Sequence, residues 1–186
     1  MKNVLMVVSG PSGVGKGTLV KTLCKNRKDL VESVSCTTRA PRAGEINGRE
    51  YYFISATEFA EMVEQGEFLE YDEHFGNFYG TPKKFVKEQL EKTSVVLEID
   101  VVGGLNAKKA FPDCVLVMIA PPSIDVLMQR LSGRNTETQE EIEGRLARLE
   151  YELSKKDEYD YVVVNDDLSL ALAELEQIFE KEKGKK

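Results

Sequence analysis

The run Gly10-Pro11-Ser12-Gly13-Val14-Gly15-Lys16 has the residue types and spacing of a phosphate cradle. In that pattern a glycine-rich turn ends on a lysine and opens a helix. Glycines let the backbone curl so that successive N–H groups face one centre, and the helix start adds its positive dipole end. Lys16 has the charge and reach for the outer phosphates of a nucleoside triphosphate. The next position carries a serine or threonine hydroxyl in the strict pattern; here it is Gly17, followed by Thr18. A divalent ion would lack that ligand, and one of the waters that Mg²⁺ retains can fill the place. Asp100, read at the end of an apolar strand, suits the acidic side of such a metal or, more plainly, caps the strand.

A second constellation suits a small phosphate ester. Arg39 and Arg42 stand either side of Pro41 in the stretch Ser35 to Glu45, and paired guanidinium groups bind phosphate bidentately. Tyr51 and Tyr79 lie near the turns at Gly48 and Gly76, where their hydroxyls can donate to the same group; each alone also reads as ordinary core. A third set, Arg130, Arg134 and Arg145, brackets the polar turn-rich segment Gly133 to Thr138, with Arg148 close by. Donors arriving over a transferring phosphoryl group would stabilise its spreading charge. The plainer alternative is solvated ion pairing with Glu137, Glu140 and Glu141. The single His74 has no partner cluster and reads as a surface or packing residue.

These groups need a frame. Asn3 to Ser9, Val95 to Ile99, Val115 to Ile119 and Tyr161 to Val164 read as buried strands. Helical patterns fall at Lys16 to Lys25, Pro82 to Lys92, Ser123 to Ser132, Thr138 to Lys155 and Leu168 to Lys183. Strands alternating with helices predict a parallel sheet covered on both faces. Val31 to Tyr79 breaks the rhythm with short strand-like pieces and one helix, which begins at a capping box of Ser55 and Glu58 and stops at Gly66. This region is expected to be an insert on the sheet.

The bulk properties narrow the classes. With 186 residues, 41% of them hydrophobic, the chain has the material for one packed domain. A net charge of −7 argues against a nucleic-acid polymer as partner. No stretch approaches the roughly 18 apolar residues of a membrane span. Cys24, Cys36 and Cys114 are far apart and odd in number, as expected of free thiols in a reducing cytoplasm. The oligomeric state is left open.

Taken together, the motifs resemble the guanylate kinase family over nearly the whole chain. They are Ser9 to Gly13, Thr37 to Glu45, Gly76 to Gly80, Ile119 to Pro122, Gly133 to Thr138 and Val164 to Asp167. The resemblance implies an α/β fold of P-loop type, with a core of about 1–32, 82–129 and 149–186. It also implies a GMP-binding insert of about 33–81 and a lid of about 130–148. The implied reaction moves a phosphoryl group from MgATP to GMP, with Mg²⁺ as cofactor and the two nucleotides as partners. ATP would lie on Gly10 to Thr18, meaning Gly10, Pro11, Ser12, Gly13, Val14, Gly15, Lys16, Gly17 and Thr18, with Asn165 against adenine. Arg39, Arg42, Tyr51 and Tyr79 would hold the GMP phosphate, and Ser35, Glu70 and Thr81 would face guanine. Glu98 would support the guanine side or orient an arginine, and Lys16, Arg130, Arg134 and Arg145 would be catalytic. The chemistry agrees, since a carboxylate accepts from guanine N1–H and N2–H₂ together while adenine offers it an acceptor. Two other readings are another nucleoside-monophosphate kinase and a peptide-binding module of guanylate-kinase-like fold.

Overall fold

Leu5–Ser9 is buried at all five positions, so it forms a strand covered on both faces, β1. The computed structural model describes residues 2–74, 76–131 and 139–185. After β1 come α1 (Lys16–Asn26), β2 (Leu30–Glu32), β3 (Cys36–Thr37), β4 (Tyr52–Phe53), α2 (Ala56–Glu64), β5 (Phe68–His74) and β6 (Asn77–Pro82). The chain continues through α3 (Lys83–Leu90), β7 (Ser94–Glu98), α4 (Val101–Ala110), β8 (Val115–Ala120), α5 (Ile124–Leu131), α6 (Gln139–Ser154), β9 (Tyr161–Val164) and α7 (Leu168–Gly184).

The central sheet has the order β2-β7-β1-β8-β9, and every neighbouring pair is parallel. Near-continuous Val, Leu and Ile runs in β1, β7 and β8 are what strands buried on both faces require. Successive side chains of β1 feed opposite cores. Met6 and Val8 pack with Leu19 and Leu23 of α1 and Leu175 and Phe179 of α7. Leu5 and Val7 pack with Val86 of α3 and Val101 and Ala107 of α4. The phosphate cradle thus leaves the carboxyl end of a central strand, where ligands of open α/β sheets collect.

A second sheet, order β4-β3-β6-β5, is mixed: β3 is parallel to β4 and antiparallel to β6, and β5 is antiparallel to β6. Helix α2 covers it through Phe59, whose ring stacks 4.5 Å from Phe68 and 5.4 Å from Phe78. The capping box at its start is formed: Glu58 N donates to Ser55 Oγ (3.1 Å) and Ser55 N to Glu58 Oε2 (2.8 Å).

Two elements differ from the sequence reading. Val31 and Glu32, the first residues of the Val31 to Tyr79 stretch that breaks the rhythm, instead belong to β2, the edge strand of the central sheet, paired in parallel with β7. Three residues are too few for a periodic signal. Helix α4 was not read at all. Its Val101, Gly103, Gly104 and Ala107 are buried together, so no polar face alternates with an apolar one, and paired glycines argue against a helix. Gly104 is demanded by packing: a Cβ there would meet Tyr159 Oη at 2.5 Å and Ser9 Oγ at 2.6 Å.

Candidate active site

Beyond Ser9 the backbone turns sharply under the end of β8. A Cβ on Gly10 would lie 2.2 Å from the Ile119 carbonyl oxygen, so only glycine passes. Gly15, in the left-handed region at φ 98°, opens α1 without a side-chain cap, which leaves the first-turn N–H groups pointing into the loop. Lys16 Nζ donates to the carbonyls of Gly10 (2.6 Å) and Pro11 (3.0 Å) and so straps the loop across its mouth. Burial lowers the Lys16 pKa, opposed by the negative charges of Glu98, Glu152 and Asp100. Asn165, just past β9, is buried and donates from Nδ2 to the Val14 carbonyl at 2.7 Å. Its side chain therefore braces the cradle from beneath. Arg130 Nη1 donates to the Asn165 carbonyl at 3.2 Å, which ties the end of α5 to the same point.

The departure from the strict phosphate-loop pattern at Gly17 has a local explanation. A Cβ at Gly17 would stand 3.2 Å from both carboxylate oxygens of Glu98. A hydroxyl-bearing side chain would be pressed against that carboxylate, so Gly17 and Glu98 share one space. Asp100 differs from the sequence reading. Strand β7 ends at Glu98, and Asp100 is the N-cap of α4, its Oδ1 accepting from Gly103 N at 2.7 Å. The side chain satisfies an otherwise orphaned helical N–H, the usual work of an aspartate there. Its Oδ2 lies 3.9 Å from Arg148 Nη2.

Facing the cradle is a polar recess on the second sheet. Glu70 of β5 is only 7% exposed, and its Oε1 accepts from Thr81 Oγ1 at 2.6 Å. Ser35 Oγ is 3.4 Å from the same Thr81 hydroxyl. Burial pushes the Glu70 carboxyl up to about 7; the bond from Thr81 opposes this, and Asp100 and Asp72 add to it. Beside the recess the Tyr51 and Tyr79 rings meet edge to face at 5.8 Å. Arg39 lies over Tyr51 at 5.5 Å, its fork held by Glu45 at 2.9 and 3.0 Å. Arg42 is exposed, and its backbone N–H donates to Glu45 Oε2 at 2.7 Å.

One cleft of about 220 Å³ joins the two halves, with Lys16 and Asp100 in its wall as well as Ser35, Tyr51, Glu70 and Tyr79. The wall also contains Glu152 of α6, which the sequence reading missed. Glu152 is 5% exposed and accepts from Arg148 Nε at 3.1 Å. A signal was present: Glu152 shares one helix face with Leu149 and Leu153, and an acid on an apolar stripe needs a reason. Arg134 lies outside the described residues, as do the side chains of Arg145 and His74. Among the described residues, no group of three or more His, Cys, Asp or Glu is arranged to hold a metal ion.

A parallel sheet with a lysine-strapped phosphate loop at its carboxyl edge, and a second polar recess opening on that loop, defines a P-loop nucleotide kinase. The family model described as guanylate kinase matches residues 2–182. A guanylate kinase of Clostridioides difficile is 46% identical over 99% of this chain and 90% of its own length. One from Caldanaerobacter subterraneus subsp. tengcongensis is 46% identical over 98% of this chain and 89% of its own. The crystal structure of guanylate kinase from Anaplasma phagocytophilum superposes with a TM-score of 0.81 at 34% identity, covering 99% of this chain and 88% of that one. The chain belongs to the guanylate kinase family.

Proposed function

We propose that this chain transfers the γ-phosphoryl group of ATP to GMP, giving ADP and GDP. The observation that carries the reading is the shared cleft: the Lys16 cradle and the buried Glu70–Thr81–Ser35 recess open on one space. Guanine presents N1–H and N2–H₂ to Glu70, with the Ser35 and Thr81 hydroxyls beside it. The GMP phosphate meets the Tyr51 and Tyr79 hydroxyls and the guanidinium groups of Arg39 and Arg42. Glu45 keeps the Arg39 fork extended in advance, so less side-chain entropy is lost on binding.

One oxygen of the GMP phosphate attacks the γ-phosphorus of ATP, and the bond to the β–γ bridging oxygen breaks to release ADP. No general base is required, because the attacking oxygen is already anionic. Lys16, Arg130, Arg134 and Arg145 are assigned to the charge that spreads over the transferring group. Mg²⁺ bound with ATP would supply neutralisation of phosphate charge. Glu98 and Asp100, hard oxygen donors sharing the neighbourhood of Lys16, suit it through water. The insert of about 33–81 and the lid of about 130–148 are taken to close over the substrates and exclude water. The three cysteines are free, which supports a reducing cytoplasmic setting.

Coupled ADP release with GMP or AMP as acceptor tests this reading. GMP should be preferred by about 10⁴-fold in kcat/KM, because AMP would leave a buried carboxylate unpaired. Lys16→Met should lower kcat by on the order of 10²–10⁵ with little change in GMP affinity. Comparable use of GMP and AMP would leave only a general nucleotide kinase. Failure to turn over either acceptor would favour a binding module.

A further inference from the structure

Helix α4 presents its first turn to the guanine recess, and the residue at the contact is Gly103. A Cβ on Gly103 would stand 2.8 Å from Glu70 Oε2 and 3.5 Å from Glu70 Cδ. The same atom would lie 3.3 Å from Asp100 Oδ1. Gly103 therefore sits between the two carboxylates, and the bare Cα is what leaves each of them its place. Its φ is not in the left-handed region, so the backbone does not demand glycine. Helix propensity argues against glycine in a helix, since alanine is better there. The remaining reason for glycine at this position is the space it leaves.

From this geometry we infer that Gly103 is a specificity-positioning residue. By lacking a side chain, it sets where the outer oxygen of Glu70 lies and hence how the two donors of guanine are met. The other oxygen of Glu70 is fixed by Thr81 at 2.6 Å. The three atoms nearest a methyl group at position 103 belong to movable carboxylate tips, Glu70 at the closer distance and the capping Asp100 at 3.3 Å, and not to backbone or a rigid ring. The fold absorbs such a contact by turning the carboxylate, and the turn swings the oxygen away from its position in the recess. The effect falls on base recognition rather than on folding. The inference rests on the reading that Glu70 receives guanine.

The test is a double-mutant cycle of Gly103→Ala and Glu70→Ala, read by kcat/KM for GMP and AMP, by KM for ATP and by Tm. A misplaced contact of this size costs up to about a hundredfold. Gly103→Ala is expected to lower kcat/KM for GMP by about 10- to 100-fold, mostly through KM. The GMP-over-AMP preference should shrink, with KM for ATP and Tm unchanged. In the Glu70→Ala background the same substitution should have no further effect, because there is no carboxylate left to displace. Unimpaired GMP use by Gly103→Ala, or an equal loss in both backgrounds, overturns the inference while leaving the role of Glu70 intact. If Gly103→Ala does not accumulate as folded protein, the collision involves more than a movable tip, and the inference is wrong. If Glu70→Ala itself keeps the preference for GMP, the guanine reading of Glu70 fails first.

Discussion

Replacing Glu70 with glutamine should stabilise the protein while crippling it. The carboxyl of Glu70 ordinarily titrates at 4.5, but in the folded chain burial pushes it up to about 7. Below about pH 4 the group is protonated in both states and contributes nothing. As pH rises, the unfolded chain ionises first, so the native state loses stability until the folded group ionises as well. At about 1.4 kcal/mol per unit the penalty is close to 3 kcal/mol at pH 8, and it falls to about 1 kcal/mol at pH 5. Glutamine keeps an acceptor for the Thr81 hydroxyl and carries no charge. For a chain of this size about 1 kcal/mol moves Tm by some 2–4 °C, so Glu70→Gln should melt roughly 6–12 °C higher at pH 8. At pH 5 the gain should shrink to a few degrees. Meanwhile kcat/KM for GMP should fall, since one amide oxygen cannot serve both guanine donors, and KM for ATP should hold. Melting curves at the two pH values and steady-state rates decide the matter. A Tm at pH 8 equal to or below that of the unmodified protein would refute the claim that this carboxylate is held at a cost.

Two other substitutions probe the cradle. Gly17→Ser should fold, because a Cβ 3.2 Å from the Glu98 oxygens needs only a slight rotation of that side chain. It should keep activity but alter the Mg²⁺ titration, and an unchanged titration would separate position 17 from the metal. Asn165→Ala removes the bond to the buried Val14 carbonyl and should cost about 1–3 kcal/mol in chemical denaturation. It should also raise KM for ATP but not for GMP; wild-type stability would show that the brace carries no weight.

The parts of the site that were readable in the sequence are those whose chemistry is local. The cradle needs consecutive glycines and a lysine, and the start of α2 needs Ser55 and Glu58 three apart, so both are written in short runs. Glu70 could be suspected only through the family, because in sequence it looks like any solvent-facing residue of an alternating strand. Its burial comes from Thr81 across the β5–β6 ladder and from the first turn of α4, an element with no periodic trace of its own. The place of Asp100 was only partly legible for the same reason: with α4 unread, its capping of that helix could not be inferred. Glu152 comes to the cleft from a helix far along the chain, where only its place on an apolar stripe marked it.

The brace between Asn165 and Val14 joins residues 151 positions apart, and β1 is completed on both sides only by β7 and β8. The cradle is therefore made on the ribosome well before the residue that braces it. At about 5–20 residues per second, roughly 8–30 s separate its synthesis from that of Asn165. Through that interval the apolar run Val4 to Val8 lacks the completed sheet that buries it in the folded chain. Substitutions that loosen the β1 edges should then reduce yield in the cell before they reduce the activity of the molecules that finish folding.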